Sequence, residues 1–386
     1  MKREIDTYIE EQREALVDLS TKIYENPELA FEEYYASEVL VEFLDGYGFQ
    51  TTKPFGGLDT AFEATYTHGE GGPVIGVMAE YDALVNGHAC GHNIIAASGV
   101  GAGIAVKKML EENNINGTIK VIGTPAEEEG GGKIIILDNG GFENIDAVLL
   151  LHPTTGVSKV AGKCRSSHNI DVTFTGVVSS AISRPERGVN ASEAAVLLHQ
   201  VLGSAMRYLP SDVLIMPVLT ETDYKNGLLP EIAEGKITIT ADEDESLTRA
   251  VARVQEIVKG VSMITEAKYE LKDLGGYAGR VINETVGNLL RDNMMAYGEE
   301  IQDGFIDDNG FEDFGNVNRV IPGAMVYPTL MKEEKVSNHT QRFLELADPK
   351  LAGDVITLGS KVMAATAMDL ITNLELIEKA KSELEK

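Results

Sequence analysis

The sequence predicts an α/β protein in which a mostly parallel sheet domain is interrupted by a smaller α+β domain. Three observations predict this fold class. First, three strongly apolar runs, "PVIGVMAEYD", "TIKVIGTPAEE" and "IDAVLLLHP", alternate with helical segments, as buried parallel strands do. Second, strands of alternating apolar and polar residues replace this pattern from about residue 166. Third, the first pattern resumes after about residue 280, and a chain of 386 residues is long enough for two domains.

The first part of the chain begins with two amphipathic helices. Leu16, Leu19 and Ile23 recur at helical spacing. The first helix should end at Asn26, because a residue before proline avoids helical geometry. "YYASEVLVEFLDGYGF" predicts a second helix that ends near Gly46. "IIAASGVGAGIAVKKMLEEN" predicts a helix between the first two apolar runs, which completes a strand–helix–strand unit.

The middle and last parts differ in their strand pattern. "HNIDVTFTG", "GKITITAD" and "AKYELKDL" alternate like half-exposed strands, and helical segments separate them, so we predict a β-α-β-α-β unit. In the last part, "ETVGNLLRDNMMAYG" and "GDVITLGSKVMAATAMDLITN" predict helices and "RVIPGAMVYP" predicts a strand. The predicted sheet domain comprises residues 1–165 and 281–386, and the inserted domain comprises residues 166–280.

The composition argues against several classes of protein. No run of about 18 uncharged apolar residues is present, so we expect no membrane span. The N-terminus has no apolar signal core. Two cysteines, Cys90 and Cys164, suit a reducing cytoplasm better than a disulfide framework. A formal net charge of −28 argues against a nucleic-acid partner, because no basic patch could balance it.

Each apolar run ends in a polar cluster. The clusters are Glu80 and Asp82 with Cys90 and His92, then Glu127, Glu128 and Glu129, then His152. Ligands of open α/β sheets bind at the carboxyl ends of strands, so we expect the clusters to meet in one crevice. Histidine, cysteine and carboxylate together suit zinc, and the oxygen-rich surroundings also admit manganese. Two adjacent glutamates permit one to bind metal while the other activates a water molecule.

Taken singly, each element has an ordinary structural explanation. Cys90 alone could be a nucleophile, a metal ligand or a small buried residue. "PAEEEGGGK" alone resembles a turn before a solvated helix start, and it lacks the GxxxxGK[ST] order of a phosphate-binding loop. The presence of all these elements at three successive strand ends favours a metal site.

Five ordered motifs resemble the amidohydrolase branch of the aminoacylase/carboxypeptidase metallopeptidase family. They are "AEYDAL…GHACGHN", "GTPAEEEGGGK", "LLLHP", "EDFGNVNRVIP" and "SNHTQRF", and they span nearly the whole chain. The family includes N-acyl-amino-acid hydrolases, the p-aminobenzoyl-glutamate hydrolase and the β-alanyl-lysine type of dipeptidase. The resemblance implies a catalytic α/β domain interrupted by a lid domain through which subunits usually dimerise.

The resemblance also implies roles for individual residues. Five residues match the family's ligands for two divalent metal ions, zinc or manganese: Cys90, His92, Glu128, His152 and His339. Glu127 matches the general base, and Asp82 matches the acid beside the metal ligands. Asp313 and Asn316, in "EDFGNV", match a segment that lines the site. The resemblance also implies that Cys90 is the thiolate that bridges the two ions. We expect Cys90 to be a metal ligand and not a nucleophile, because it lies among ligands and has no free basic partner.

The inserted domain departs from the family pattern. Ser180 stands where a histidine usually polarises the scissile carbonyl, and Gly227 stands where the "N-x-I-P" asparagine is usual. Thr240 stands where an arginine typically binds the substrate carboxylate, and Asn93 replaces the aspartate of "CGHD". The metal-binding half of the pattern is thus complete, whereas the lid half is not.

The function that this resemblance implies is metal-dependent hydrolysis of an amide or peptide bond in a dipeptide or an N-acyl amino acid. Two alternatives stay open. One is hydrolysis of another C–N bond, of the deaminase or amidine type. The other is a metal-binding paralogue without catalytic activity, which the presence of Glu127 disfavours. We expect a small-molecule substrate, a homodimer or higher homo-oligomer formed through the inserted domain, no membrane or nucleic-acid partner, and a cytoplasmic location.

Overall fold

Two sheets organise the chain in the computed structural model, which describes residues 1–384. In chain order the strands are β1 Gln50–Thr52, β2 Phe62–His68, β3 Val74–Glu80, β4 Gly117–Thr124, β5 Ala147–Leu151, β6 Ser158–Ala161, β7 Ser166–Thr175, β8 Leu214–Thr222, β9 Ile232–Ala241, β10 Lys268–Gly275, β11 Ile301–Ile306 and β12 Gly323–Tyr327. The helices are α1 Lys2–Glu25, α2 Tyr34–Gly46, α3 His92–Asn113, α4 Gly132–Asp138, α5 Ala191–Ala205, α6 Asp244–Thr265, α7 Glu284–Ala296, α8 Phe314–Asn318, α9 Gln341–Leu346, α10 Pro349–Thr372 and α11 Leu374–Leu384.

The first structural unit comprises Met1–Lys163, Arg280–Asp308 and the residues from Glu312 onward. Its eight-stranded sheet has the order β1-β2-β4-β3-β5-β12-β6-β11. The β4–β3, β3–β5, β5–β12 and β6–β11 pairs are parallel, whereas β1–β2, β2–β4 and β12–β6 are antiparallel. The predicted α/β class with a mostly parallel sheet is therefore confirmed.

The central strands of this sheet are buried on both faces. β5 has no exposed residue, and β3 is buried from its second residue onward, as expected for parallel strands covered by helices. Helix α3 packs on β3, β4 and β5, and α1 and α10 pack on α3. The apolar runs form the central strands of the sheet, because a strand buries all of its apolar side chains only where both faces of the sheet are covered.

Helix α10 is the one helix among residues 1–384 with the length and composition of a membrane span. Within its most apolar window, 83% is buried inside the fold. Its apolar surface is therefore covered by the protein itself, as in the core helix of a folded domain.

The second unit comprises Cys164–Gly279 with Asn309–Phe311. Its sheet is antiparallel throughout, in the order β10-β7-β9-β8, and α5 and α6 pack against it. The predicted β-α-β-α-β order was wrong by one strand, because β8 lies between α5 and β9. "LIMPVLTET" contains Pro217, which has no N–H group for a central ladder, yet an edge strand such as β8 tolerates it. The interpretation of this unit as a lid and dimerisation domain stays a prediction.

Candidate metal centre

Three neighbouring strand ends bring the sequence-predicted residues together. Strands β4, β3 and β5 are adjacent and parallel, so their carboxyl ends lie at one edge of the sheet. Asp82 follows β3, Glu127 and Glu128 follow β4, and His152 follows β5. The "GHACGHN" loop returns from β3 to this edge and begins α3 at His92.

His92 has a ring nitrogen whose surroundings fit a cation. Nδ1 donates to Oδ1 of Asp82 at 3.0 Å, which orients the ring. Nε2 lies 3.7 Å from carboxylate oxygens of Glu80 and Glu127 and 3.8 Å from Oε1 of Glu128. Among the described residues, neither Nε2 of His92 nor Oε2 of Glu80 has a hydrogen-bond partner, although both are buried. Buried polar atoms are normally paired, so a site that draws three carboxylates and one imidazole together fits a divalent metal ion.

A cation bound at this site would change the protonation of His92. Burial disfavours the charged imidazolium, but the Asp82 carboxylate outweighs it and raises the pKa of His92 well above its ordinary value. A metal ligand must instead be the neutral imidazole. Metal binding at Nε2 would therefore release a proton from this ring.

Cys90 and His152 form the sulfur and nitrogen side of the cluster. Sγ of Cys90 lies 3.2 Å from Nε2 of His152, and Nδ2 of Asn338 lies 3.5 Å from the same sulfur. Nδ1 of His152 lies 2.8 Å from the carbonyl oxygen of Pro153, an arrangement that leaves the lone pair on Nε2. Burial, together with the charge of Glu128, raises the pKa of the Cys90 thiol. A raised pKa opposes a role as a free nucleophile, whereas a metal ion would stabilise the thiolate.

The two adjacent glutamates have opposite electrostatic environments. Burial, followed by the charges of Glu128, Glu80 and Asp313, raises the pKa of Glu127 well above its ordinary value. Burial also opposes ionisation of Glu128, but His339 and His92 lower its pKa. Such a division suits one carboxylate that exchanges protons and one that stays ionised.

The backbone around Glu128 is also held in place. Its N–H group donates to Oδ2 of Asp82 at 2.9 Å. Asp82 therefore positions both His92 and Glu128, one through each carboxylate oxygen. The predicted role of Asp82, as the acid beside the metal ligands, stays a prediction.

His339 reaches the cluster from a distant loop. Its Nε2 lies 3.3 Å from Oε1 of Glu128. Its backbone N–H donates to the carbonyl of Ala89 at 2.8 Å, and the backbone carbonyl of His339 accepts from Nδ2 of Asn86 at 3.2 Å. These bonds attach the "SNHT" segment to the "GHACGHN" loop. His339 adopts a φ of 66°, a conformation that is uncommon for a residue with a side chain.

Donor atoms from these residues lie close enough to share metal ions. The donors of three groups lie within 4.8 Å of one another: Cys90, His92 and His152; Cys90, Glu128 and His339; and His92, Glu127 and Glu128. The structure thus brings together all five predicted ligands and the predicted base. Their roles as ligands and base stay predictions.

Lys133 was missed in the sequence. Its ammonium lies 2.7 Å from Oε1 of Glu80 and 2.6 Å from Oδ1 of Asp313, and all three side chains are buried. The Lys133 N–H also donates to Oδ2 of Asp313 at 2.9 Å. A lysine after a glycine run has no local signal for burial, because its partners are distant in the chain: Glu80 lies in β3, and Asp313 precedes α8. Asn316 lies within α8 itself.

The family-divergent positions have structural partners of their own. Asn93 donates to Ser20 at 2.9 Å and to the Ala347 carbonyl at 3.1 Å. In the second unit, Oγ1 of Thr240 accepts from Arg165 at 3.2 Å. Ser180 accepts from the Ser183 hydroxyl at 2.7 Å. Thr240 is therefore part of a buried contact in its own sheet.

Gly227 adopts a φ of 77°, in the left-handed region. Its carbonyl accepts from the N–H of Ala181 at 3.0 Å. Asparagine is among the few residues other than glycine that tolerate this backbone conformation. The exchange of asparagine for glycine at this position is therefore compatible with the turn.

Comparison with known proteins identifies relatives over most of the chain. The sequence profile of peptidase family M20/M25/M40 matches residues 76–368. Xaa-Arg dipeptidase of Mus musculus is 31% identical over 398 aligned residues, which cover 99% of this chain and 92% of the mouse protein. One polypeptide of the p-aminobenzoyl-glutamate hydrolase of Escherichia coli is 29% identical over 318 aligned residues, which cover 77% of this chain and 65% of the bacterial protein.

Solved structures share the fold. A Bacillus subtilis protein described as a dinuclear metal-binding peptidase from the M20 family aligns with a TM-score of 0.70 at 19% identity, covering 94% of this chain and 99% of that chain. A putative aminohydrolase from methicillin-resistant Staphylococcus aureus aligns with a TM-score of 0.77 at 17% identity, covering 96% of this chain and 100% of that chain.

Proposed function

The chain belongs to peptidase family M20/M25/M40, and on that premise we propose that it hydrolyses a small amide or peptide substrate with Glu127 as general base. The enzyme is a metal-dependent amidohydrolase. The observation that carries the proposal is the convergence of three carboxylates on the unpaired Nε2 of buried His92.

The proposed centre holds two divalent ions, with zinc or manganese as the native metal. Its ligands would be Cys90, His92, Glu128, His152 and His339. Thiolate and imidazole favour zinc, whereas a carboxylate-rich shell also suits manganese. When bound, such ions lower the pKa of a water molecule from 15.7 toward about 7 and polarise a carbonyl group.

Proton transfer is the task proposed for Glu127. Its carboxylate accepts the proton of the attacking water and then donates it to the amine as the C–N bond breaks. The raised pKa of Glu127 suits both steps, because a stronger base accepts the proton readily and holds it for the leaving group. Glu128 stays ionised beside His339, as a ligand requires.

The proposed substrates are dipeptides or N-acyl amino acids. Xaa-Arg dipeptidase and p-aminobenzoyl-glutamate hydrolase, by their names, act on a dipeptide with a cationic residue and on an acidic acyl-amino acid. These two substrates carry opposite charges, so a panel that contains both tests the substrate class directly. The absence of the usual arginine at Thr240 favours a substrate that does not depend on a bidentate carboxylate contact.

The proposed oligomer is a homodimer formed through the second unit. Strand β8 lies at an edge of its sheet and exposes Leu214, Met216 and Val218. An apolar edge strand is a ready surface for pairing with another chain. The proposed location is the cytoplasm, where Cys90 and Cys164 would not form a disulfide.

Paired variants test the proposed roles. Glu127→Gln should keep its metal and fold, while kcat falls by about 10²–10⁴-fold, the usual contribution of a general base. Glu128→Gln should lose metal, and the exposed neighbour Glu129→Gln serves as the matched control. The measurements are elemental analysis and turnover of Xaa-Arg dipeptides and p-aminobenzoyl-glutamate.

Two outcomes would contradict the proposal. One is a wild-type protein that binds no divalent metal even after reconstitution. The other is a Glu127→Gln variant that retains wild-type turnover at full metal occupancy.

A further inference from the structure

Glu33 is a buried carboxylate that lies outside the metal cluster. It precedes α2 and is 0% exposed. Its Oε1 accepts two backbone N–H groups, from Phe31 at 3.0 Å and from Ala126 at 2.9 Å. Its Oε2 accepts the hydroxyl of Thr60 at 2.9 Å. One side chain thus connects the segment before α2 to the turn that follows β4.

Both backbone groups that Glu33 binds belong to residues in the left-handed region. Phe31 has a φ of 66° and Ala126 has a φ of 58°. For residues with a Cβ atom this conformation costs about 1–2 kcal/mol each. Such backbone persists only where surrounding contacts hold it, and hydrogen bonds to a buried carboxylate are among the stronger ones available.

The conformation of Ala126 matters because Glu127 comes next. A left-handed residue redirects the chain, and the following Cα–Cβ bond takes its direction from that turn. Glu127 thereby places Oε2 at 3.7 Å from Nε2 of His92. If Ala126 relaxed to ordinary φ, the Glu127 carboxylate would leave this position.

Phe31 supports the other side of the same turn. A Cβ atom on Gly130 would lie 2.3 Å from the Phe31 ring, so the ring packs directly on this glycine. Gly130 itself has a φ of 112°. Glu33 therefore holds Ala126 by a direct hydrogen bond and Gly130 through the ring of Phe31.

We propose that Glu33 is a positioning residue for catalysis, which holds the Ala126–Gly130 turn so that Glu127 faces the reacting centre. The inference rests on the proposed role of Glu127 as general base. It assigns to Glu33 no contact with metal or substrate. Its effect is on the geometry of proton transfer, where a displacement of about 1 Å can lower the rate about 10²-fold.

Three substitutions at this position separate geometry from charge. Glu33→Asp keeps the charge but shortens the side chain, so it cannot reach Phe31, Ala126 and Thr60 together. Glu33→Ala removes all three bonds. Glu33→Gln retains an oxygen that accepts both N–H groups, and its amide can donate to the Thr60 hydroxyl. Glu32→Ala, at the exposed neighbouring position, is the matched control.

The experiment measures kcat, KM, metal content and thermal unfolding for each variant of the full-length, metal-loaded enzyme. Glu33→Asp and Glu33→Ala should lower kcat by about 10–100-fold, with KM within about threefold and metal content unchanged. Glu33→Gln should keep kcat within about threefold of the wild-type value. If Glu33→Ala does not fold, Glu33→Asp still decides the question.

The inference is overturned if folded Glu33→Asp retains wild-type kcat. It is also overturned if Glu33→Gln loses as much kcat as Glu33→Asp, because the geometry of the acceptor oxygen would then not be what matters. A parallel Glu127→Gln variant separates this failure from failure of the proposed function. If Glu127→Gln abolishes turnover while Glu33→Asp does not alter it, the base assignment stands and only the positioning role fails.

Discussion

Asp82→Asn tests how the metal ligands are held. Both oxygens of Asp82 accept hydrogen bonds, Oδ1 from His92 at 3.0 Å and Oδ2 from the Glu128 N–H at 2.9 Å. Asparagine has one acceptor oxygen and one donor NH₂ group. In the variant, one of the two donors therefore faces another donor, although the side-chain volume barely changes.

The magnitude follows from burial and from the tautomer of His92. His92 is 0% exposed and Asp82 is 1% exposed, so no bulk water replaces the lost acceptor. If the amide faces Nδ1, the imidazole is biased toward carrying its proton on Nε2, where it cannot bind metal. Loss of a partner that orients a metal ligand typically weakens metal binding by about 10–100-fold. We expect the upper half of that range, about 30–100-fold, because one carboxylate positions two proposed ligands.

The assay is titration of metal-free protein with zinc or manganese in the presence of a competing chelator. Asp146→Asn is the matched control. Asp146 also accepts a backbone N–H, that of Val74 at 2.8 Å, but at the amino end of β3 rather than the carboxyl end. The control should bind metal as wild type does.

Two results would refute this reasoning. If Asp82→Asn binds metal within about threefold of wild type, Asp82 does not orient the ligands. If Asp146→Asn weakens metal binding as much as Asp82→Asn, the loss comes from general destabilisation and not from the ligand geometry.

Four further predictions concern the rest of the structure. Lys133→Met should lower the free energy of unfolding in urea by about 3–5 kcal/mol, because it leaves buried Glu80 and Asp313 without their cation. The half-buried Lys120→Met, which breaks a pair with Glu63, should cost about 1 kcal/mol or less, and equal losses would contradict the argument. In metal-free protein, burial raises the pKa of Glu33 from 4.5 to about 7, so ionisation of Glu33 should lower the stability of the folded state as the pH rises across that interval. The loss of stability between pH 5 and pH 8 in urea unfolding should therefore be smaller in Glu33→Gln than in wild type, and an equal loss would contradict this assignment. If Thr240 stands in the place of the family arginine, as the resemblance implies, the wild-type preference in kcat/KM for free-acid over amide substrates should stay below about 100-fold. A larger value would mean that another cation binds the carboxylate. Replacing exposed Met216 and Val218 of β8 together by aspartate should convert the proposed dimer to a monomer in sedimentation velocity, whereas Met263→Asp on α6 should not, and a wild-type monomer would refute the proposed oligomer.

Much of the fold and part of the site could be predicted from local pattern. The apolar runs that became β3, β4 and β5 announce burial on both faces, and each leads directly into polar residues at its carboxyl end. Parallel pairing then requires Asp82, Glu127 and His152 to meet. The same local reasoning failed for β8, since Pro217 and many exposed residues hide an edge strand.

Neighbours distant in the chain decided the rest. His339 had no local signal of its own in the sequence. Its backbone N–H donates to the Ala89 carbonyl at 2.8 Å, and this bond holds the loop where Nε2 of His339 lies 3.3 Å from Oε1 of Glu128. Lys133 and Glu33 look like surface charges in the sequence. Lys133 is buried because Glu80 and Asp313 provide carboxylates for it. Glu33 is buried because backbone N–H groups, such as that of Ala126, donate to its carboxylate.

By itself, the sequence determined the α/β class, the central strands and the candidate metal-binding residues at the strand ends, because periodicity and residue chemistry are local properties. The hydrolase function was implied by the resemblance of five ordered motifs to a known family. Only the tertiary structure decided that the pKa of Glu127 is raised and that the pKa of Glu128 is lowered. Glu127 and Glu128 are chemically identical neighbours, but burial and the charges of nearby carboxylates raise the pKa of Glu127. Burial acts on Glu128 in the same direction, yet His339 and His92 outweigh it and lower the pKa of Glu128. Electrostatic environment depends on distances in space, which a chain acquires only when its strands, helices and loops are assembled.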